Sequence, residues 1–65
     1  MQNSLCALRQ DRGWSQQRLA DELGVSRQTI ISIERGRFDP SLPLAFRIAR
    51  LFETTIESVF EPDGE

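Results

Sequence analysis

Arg27, Gln28, Ile31, Ser32 and Arg35 lie close enough in the chain to act together. On a helix at ~100° per residue, Gln28, Ile31, Ser32 and Arg35 share one face, and Arg27 sits at its N-terminal edge. A bidentate amide, an apolar group, a hydroxyl and a cation are the side-chain types that read base edges in a DNA major groove. Ile30 and Ile33 point the opposite way, with Thr29 and Glu34 on the shoulders. A polar helix face by itself fits an ordinary solvated surface equally well. Catalysis finds little support, because the chain has no His, Tyr or Lys and its single Cys6 has no neighbouring base. Without a Cys/His cluster no metal or other cofactor is expected, and the reading is of a non-enzyme.

The elements around that face favour DNA. Ser15 can accept from the orphan N–H groups of a helix carrying Leu19, Ala20 and Leu23 on one stripe, and Gly24 suits a left-handed stop. Ser26 then opens a second helix, which Gly36 ends. Two capped helices joined by a turn of about three residues, over 15–36, outline a helix-turn-helix. The first turn of the second helix places free N–H groups and positive dipole where a phosphate would sit.

Charge is uneven along the chain. The net charge is −2 over 65 residues, an awkward value for a nucleic-acid partner. Residues 1 to 52, however, hold all eight arginines against five acids, a net +3, whereas residues 53 to 65 hold five acids and no base, a net −5. The basic end can face phosphate while the acidic end faces away. All cations are Arg, which favours planar bidentate contacts, although a high-GC genome would give the same bias. No apolar run is long enough to span a bilayer and no N-terminal signal pattern is evident, so a cytoplasmic location is expected.

The remaining segments read as short helices. Asn3 or Ser4 caps a first helix with Leu5, Leu8, Arg9 and Arg12 on one stripe, ending at Gly13. Cys6 beside that stripe reads as a small, reduced, partly buried hydrophobe. Trp14 reads as a core plug, with no stacking partner at local spacing. After a loop at Arg37 to Pro40, Ser41 caps a helix with Pro43 in its first turn and Ala45, Ile48, Ala49 and Phe52 inward. Leu44 and Leu51 widen that stripe and Phe46 lies outside it. Thr55 caps a fifth helix from Ile56 to about Phe60, and Pro62-Asp63-Gly64 reads as a frayed tail. The expected fold is all-α, a compact bundle of four to five short helices forming one domain over 1–65. A tiny two-stranded terminal sheet is allowed but not demanded.

Leu8-Arg9, Gly13 to Gln17, Leu19-Ala20, Leu23 to Ile30, Ile33 to Gly36 and Pro40-Ser41 together resemble the Cro and phage-repressor (XRE) type of helix-turn-helix regulators, whose domain is lambda-repressor-like. The resemblance runs to Val59-Phe60 and is closest to the very small bacterial members. It implies base reading by Arg27, Gln28 and Ser32, base or phosphate contacts by Ser26 and Thr29, and backbone contacts by Gln16 and by Arg35, Arg37 and Phe38. It also implies an ion pair between Arg9 and Glu34, which a carboxylate on the shoulder of a buried face needs in any case. The chain departs from the pattern at Ile31, where relatives carry a small or polar residue. It departs again at Arg18, where a Glu often completes a capping box with Ser15.

These observations imply a sequence-specific DNA-binding transcriptional regulator, a dimeric repressor on a palindromic operator. The alternative is an antitoxin or partner-controlled protein-binding module. A chain this small buries only about 60% of its extended surface, so dimerisation is a natural remedy. The expected contact is a homodimer end at about 51–61, with Leu51, Ile56, Val59 and Phe60.

Overall fold

The computed structural model describes residues 1–62; the expected tail from Asp63 onward lies outside them. In chain order it contains β1 (Gln2–Asn3), α1 (Leu5–Asp11), α2 (Gln16–Leu23), α3 (Arg27–Glu34), α4 (Leu42–Leu51), α5 (Ile56–Val59) and β2 (Phe60–Glu61). Ser15, Ser26, Ser41 and Thr55 each sit in extended backbone, and each side chain accepts the N–H three residues on. An orphan donor in every first turn is thereby satisfied, typically worth ~1 kcal/mol per cap.

The ends are as regular as the starts. After α3, the Gly36 N–H donates to the Ile33 carbonyl at 2.9 Å and the Arg37 N–H to the Ser32 carbonyl at 3.0 Å, the paired closure of a Schellman motif. The same two bonds recur after α1, α2 and α4, closing on Trp14, Val25 and Thr54. The reversing residue is left-handed each time, and after α4 it is not glycine but Glu53, at φ 55°. Gly36 is constrained twice, because a Cβ there would meet the Met1 carbonyl oxygen at 2.9 Å.

Leu5, Leu19, Leu23, Ile30, Ile33, Ile48 and Val59 are completely enclosed, so every helix delivers at least one side chain to a single core. Each such side chain contributes roughly 1.5–3 kcal/mol on burial. The expected inward stripe of α4 is correct, and Leu44 joins it. The fifth helix is shorter than expected. It ends at Val59, and Phe60 turns into β2, which pairs antiparallel with β1 in the register Gln2 to Glu61 and Asn3 to Phe60.

Asn3 explains why that ribbon forms. Its carboxamide accepts the Leu5 N–H at 3.1 Å and donates to the Ile33 carbonyl at 2.8 Å, so one side chain starts α1 and ties β1 to the end of α3. Ser4 occupies the N-cap position but makes no capping bond with its side chain.

One ion pair joins three helices. Arg9 donates from Nε to Glu34 Oε2 at 2.7 Å and from Nη2 to Oε1 at 3.3 Å. Its Nη1 reaches the Trp14 carbonyl at 2.8 Å, and Gln16 adds a bond to Glu34 Oε1 at 3.3 Å. Side-chain exposure is 11% for Arg9 and 7% for Glu34. The hydrogen bond to Glu34 raises the Arg9 pKa in spite of its desolvation, so the cation stays charged wherever the chain folds.

Two stability measurements follow from this architecture. Glu34→Ala strands a largely enclosed guanidinium and should cost up to about 3–5 kcal/mol in chemical denaturation, most of the stability of so small a domain. An unchanged midpoint would refute the strut. Glu53→Gly should instead stabilise by up to about 1 kcal/mol by removing left-handed strain, and a lowered midpoint would show that the Glu53 side chain outweighs it.

Candidate nucleic-acid interface

The turn between α2 and α3 is held from both sides. Gly24 takes the left-handed stop at φ 71°, and Arg47 of α4 donates to the Leu23 carbonyl, occupying an acceptor that α2 leaves open. Ser26 Oγ accepts the Thr29 N–H at 3.1 Å, and the two hydroxyls lie 2.9 Å apart. Thr29 is half-buried and partly committed to this cap, which leaves it less free for a ligand than its spacing implied. At α2 the missing capping-box Glu costs only half of the box. Ser15 Oγ still accepts the Arg18 N–H at 3.0 Å, and the Arg18 side chain turns to Glu22 at 2.8 Å.

With Ile30 and Ile33 sealed in the core, α3 presents Arg27, Gln28 and Arg35 fully outward and Ile31 and Ser32 half-exposed. Two recesses flank this ridge. One is lined by Cys6, Gln16, Arg27, Ile31, Glu34 and Arg35; the other by Ser26, Gln28, Thr29, Ser32 and Phe38. A third concavity, at the start of α2, gathers Arg9, Ser15, Gln16, Gln17 and Arg27. Helix N–H groups beside a cation suit an anion there. Gln16 spends one amide hydrogen on Glu34 and keeps a second donor.

The arginines divide by task. Arg9 forms the strut and Arg47 caps α2, while Arg12 and Arg18 lie over the Trp14 ring at 5.2 and 4.9 Å. Arg12 also covers Phe52 at 4.9 Å, and the Trp14 and Phe52 centroids are 5.9 Å apart. Trp14 is half-buried against the core, as expected of a plug, but it has the stacking partners the sequence reading did not expect, two guanidinium groups. Side chains four apart on one helix turn were visible to sequence reasoning; a cation arriving from α2 onto the preceding loop was not. Arg27, Arg35 and Arg37 remain exposed beside α3. Cys6 is half-buried, with Sγ 3.5 Å from Arg9 Nη2.

The expected dimer end needs correction. Val59 is 1% exposed and Phe60 6%, so both belong to the core of their own chain. The reason is the single turn of α5 followed by β2, which folds them inward beneath the terminal ribbon. Leu51 and Ile56 are half-buried against the same core. Exposed apolar surface lies instead on α4, at Phe46, 50% exposed, and at its first residue Leu42, 63% exposed. Phe46, Ala49, Arg50, Thr54, Thr55, Ile56 and Glu57 line a groove of about 310 Å³.

Residues 7–59 match the helix-turn-helix family model. An uncharacterized HTH-type transcriptional regulator of Methanocaldococcus jannaschii is 53% identical over 60 residues, covering 92% of this chain and 91% of the relative. The regulator YgzD of Bacillus subtilis, likewise uncharacterized, is 43% identical over 60 residues with the same coverage. Among solved structures, the restriction-modification controller protein C.AhdI of Aeromonas hydrophila superposes with a TM-score of 0.76 at 30% identity, over 86% of this chain and 85% of that one. No helix among the described residues is long and apolar enough to cross a membrane. With an outward polar ridge on a core-anchored second helix, this chain belongs to the helix-turn-helix family of DNA-binding transcriptional regulators, in its Cro and phage-repressor branch.

Proposed function

We propose that the chain is a cytoplasmic dimeric repressor that reads a palindromic operator by laying α3 in the major groove. The observation that carries this reading is the ridge of α3, where Arg27 and Gln28 stand outward at the helix N-terminus. Arg27 pairs with a guanine and Gln28 with an adenine, the bidentate partners that their geometry fits. Ile31 packs on a thymine methyl and Ser32 accepts or donates to either base. Gln16, Ser26, Thr29, Arg35 and Arg37 hold phosphates and set the register. Repression follows from occupancy, since a duplex covered by the dimer is closed to polymerase.

A second copy is the proposed occupant of the groove between α4 and α5. Its lining is self-complementary in character, apolar at Phe46, Ala49 and Ile56 and bearing one cation and one anion, Arg50 and Glu57. A two-fold axis brings the same patch against itself, so opposite charges on one patch find partners on the other. Leu51 and Ile56 stay in the proposed contact; Leu42 and Phe46 take the place of Val59 and Phe60. Two recognition helices related by that axis would enter the duplex about one turn apart, ~34–36 Å.

Selection of bound sites from random duplex DNA supplies the operator for both tests. On single-base variants of it, Gln28→Ala should lose discrimination worth about 1–3 kcal/mol at one position; uniform weakening with unchanged preference would reduce Gln28 to a backbone contact. In sedimentation at micromolar concentration, wild type should run at twice the 7.5 kDa chain mass. Phe46→Glu, a change at a half-exposed site that spares the core, should run as the monomer and lose the palindromic site. A wild-type monomer that binds a non-palindromic site tightly would refute the dimer.

A further inference from the structure

Phe38 does not fit the backbone role that its position after α3 implies. A phenyl ring offers a phosphate neither charge nor hydrogen bond, yet it is 47% exposed. Its placement is fixed by the closure of α3: with Arg37 N–H bonded to the Ser32 carbonyl, the chain doubles back. Phe38 then lines a recess with Ser26, Gln28, Thr29 and Ser32. The two other large exposed hydrophobics, Leu42 and Phe46, lie on α4. Phe38 is thus the apolar wall of an otherwise polar recess, on the flank of the ridge opposite the recess that holds Ile31.

We propose that Phe38 is a specificity-determining residue whose ring packs on the 5-methyl group of a thymine beside the base read by Gln28. The inference rests on the reading of α3 as the helix in the major groove. In that groove thymine alone among the bases presents a methyl group. A ring exposed in solution gains by covering an apolar group and loses little against any polar edge. The ridge is then bracketed by two methyl-seeking side chains, Ile31 on one flank and Phe38 on the other, with Gln28 between them.

The experiment is parallel selection from a random 30-base-pair duplex library with wild type, Phe38→Ala and Phe38→Leu. Uracil-for-thymine substitutions are then made singly in the wild-type site. Wild type should lose about fourfold in affinity at one uracil position, the worth of one buried methyl group. Phe38→Ala should be indifferent at that position and select it degenerately, whereas Phe38→Leu should keep the thymine. The slope of log affinity against log salt should be the same for all three, because no phosphate contact changes. An unaltered consensus with Phe38→Ala, or a shallower salt slope, would overturn the proposal and make Phe38 a backbone or loop-packing residue. If wild type enriches no sequence at all, the groove reading of α3 fails and the proposal with it.

Discussion

The Arg9 to Glu34 pair is the constraint on which the rest of the interface depends. Glu34 is the last residue of α3, and its carboxylate is gripped by the planar fork of Arg9 from α1 and by the Gln16 amide from the start of α2. The second helix of the helix-turn-helix, α3, is therefore fixed in rotation and position by groups on both preceding helices. Apolar packing of Ile30 and Ile33 would tolerate small rolls of α3 about its axis; three directed bonds to one carboxylate do not. In the proposed reading, where α3 presents Gln28 to a base edge, that rigidity matters more than the stability the pair adds.

The closures of the helices repeat this logic along the backbone. Each of α1 to α4 stops by the same pair of hydrogen bonds, so the direction of the next segment is set within two residues. After α2 this produces the short turn into α3. After α3 it brings Arg37 and Phe38 back along the helix that they follow. A chain of helices only two to three turns long would otherwise have many ways to pack, and directional stops remove most of them.

Much of this was legible in the residues, and what was missed depends on partners far apart in the chain. Ser15, Ser26, Ser41 and Thr55 announce helix starts because a short hydroxyl side chain satisfies an N–H three residues away, a purely local event. The inward positions of α3 and α4 follow from periodicity for the same reason. The terminal ribbon was legible only as a possibility, since two residues at each end pair only after the bundle has brought them together, and Asn3 is held by the distant Ile33 carbonyl. Val59 and Phe60 were misassigned because apolar residues on a short terminal helix look alike whether they cover their own core or another chain. The acceptors of Arg47 and the stacking of Arg12 and Arg18 were hidden for a related reason: a long side chain can choose among partners that only the tertiary fold supplies.

Trp14 is the single tryptophan of the chain, and its surroundings make it an optical gauge of the strut. Its indole lies beneath two guanidinium groups and beside Phe52, while its own carbonyl is an acceptor for Arg9. It lines neither recess beside the α3 ridge. Its fluorescence therefore reports the integrity of the scaffold that holds α3, separately from the surface that α3 presents.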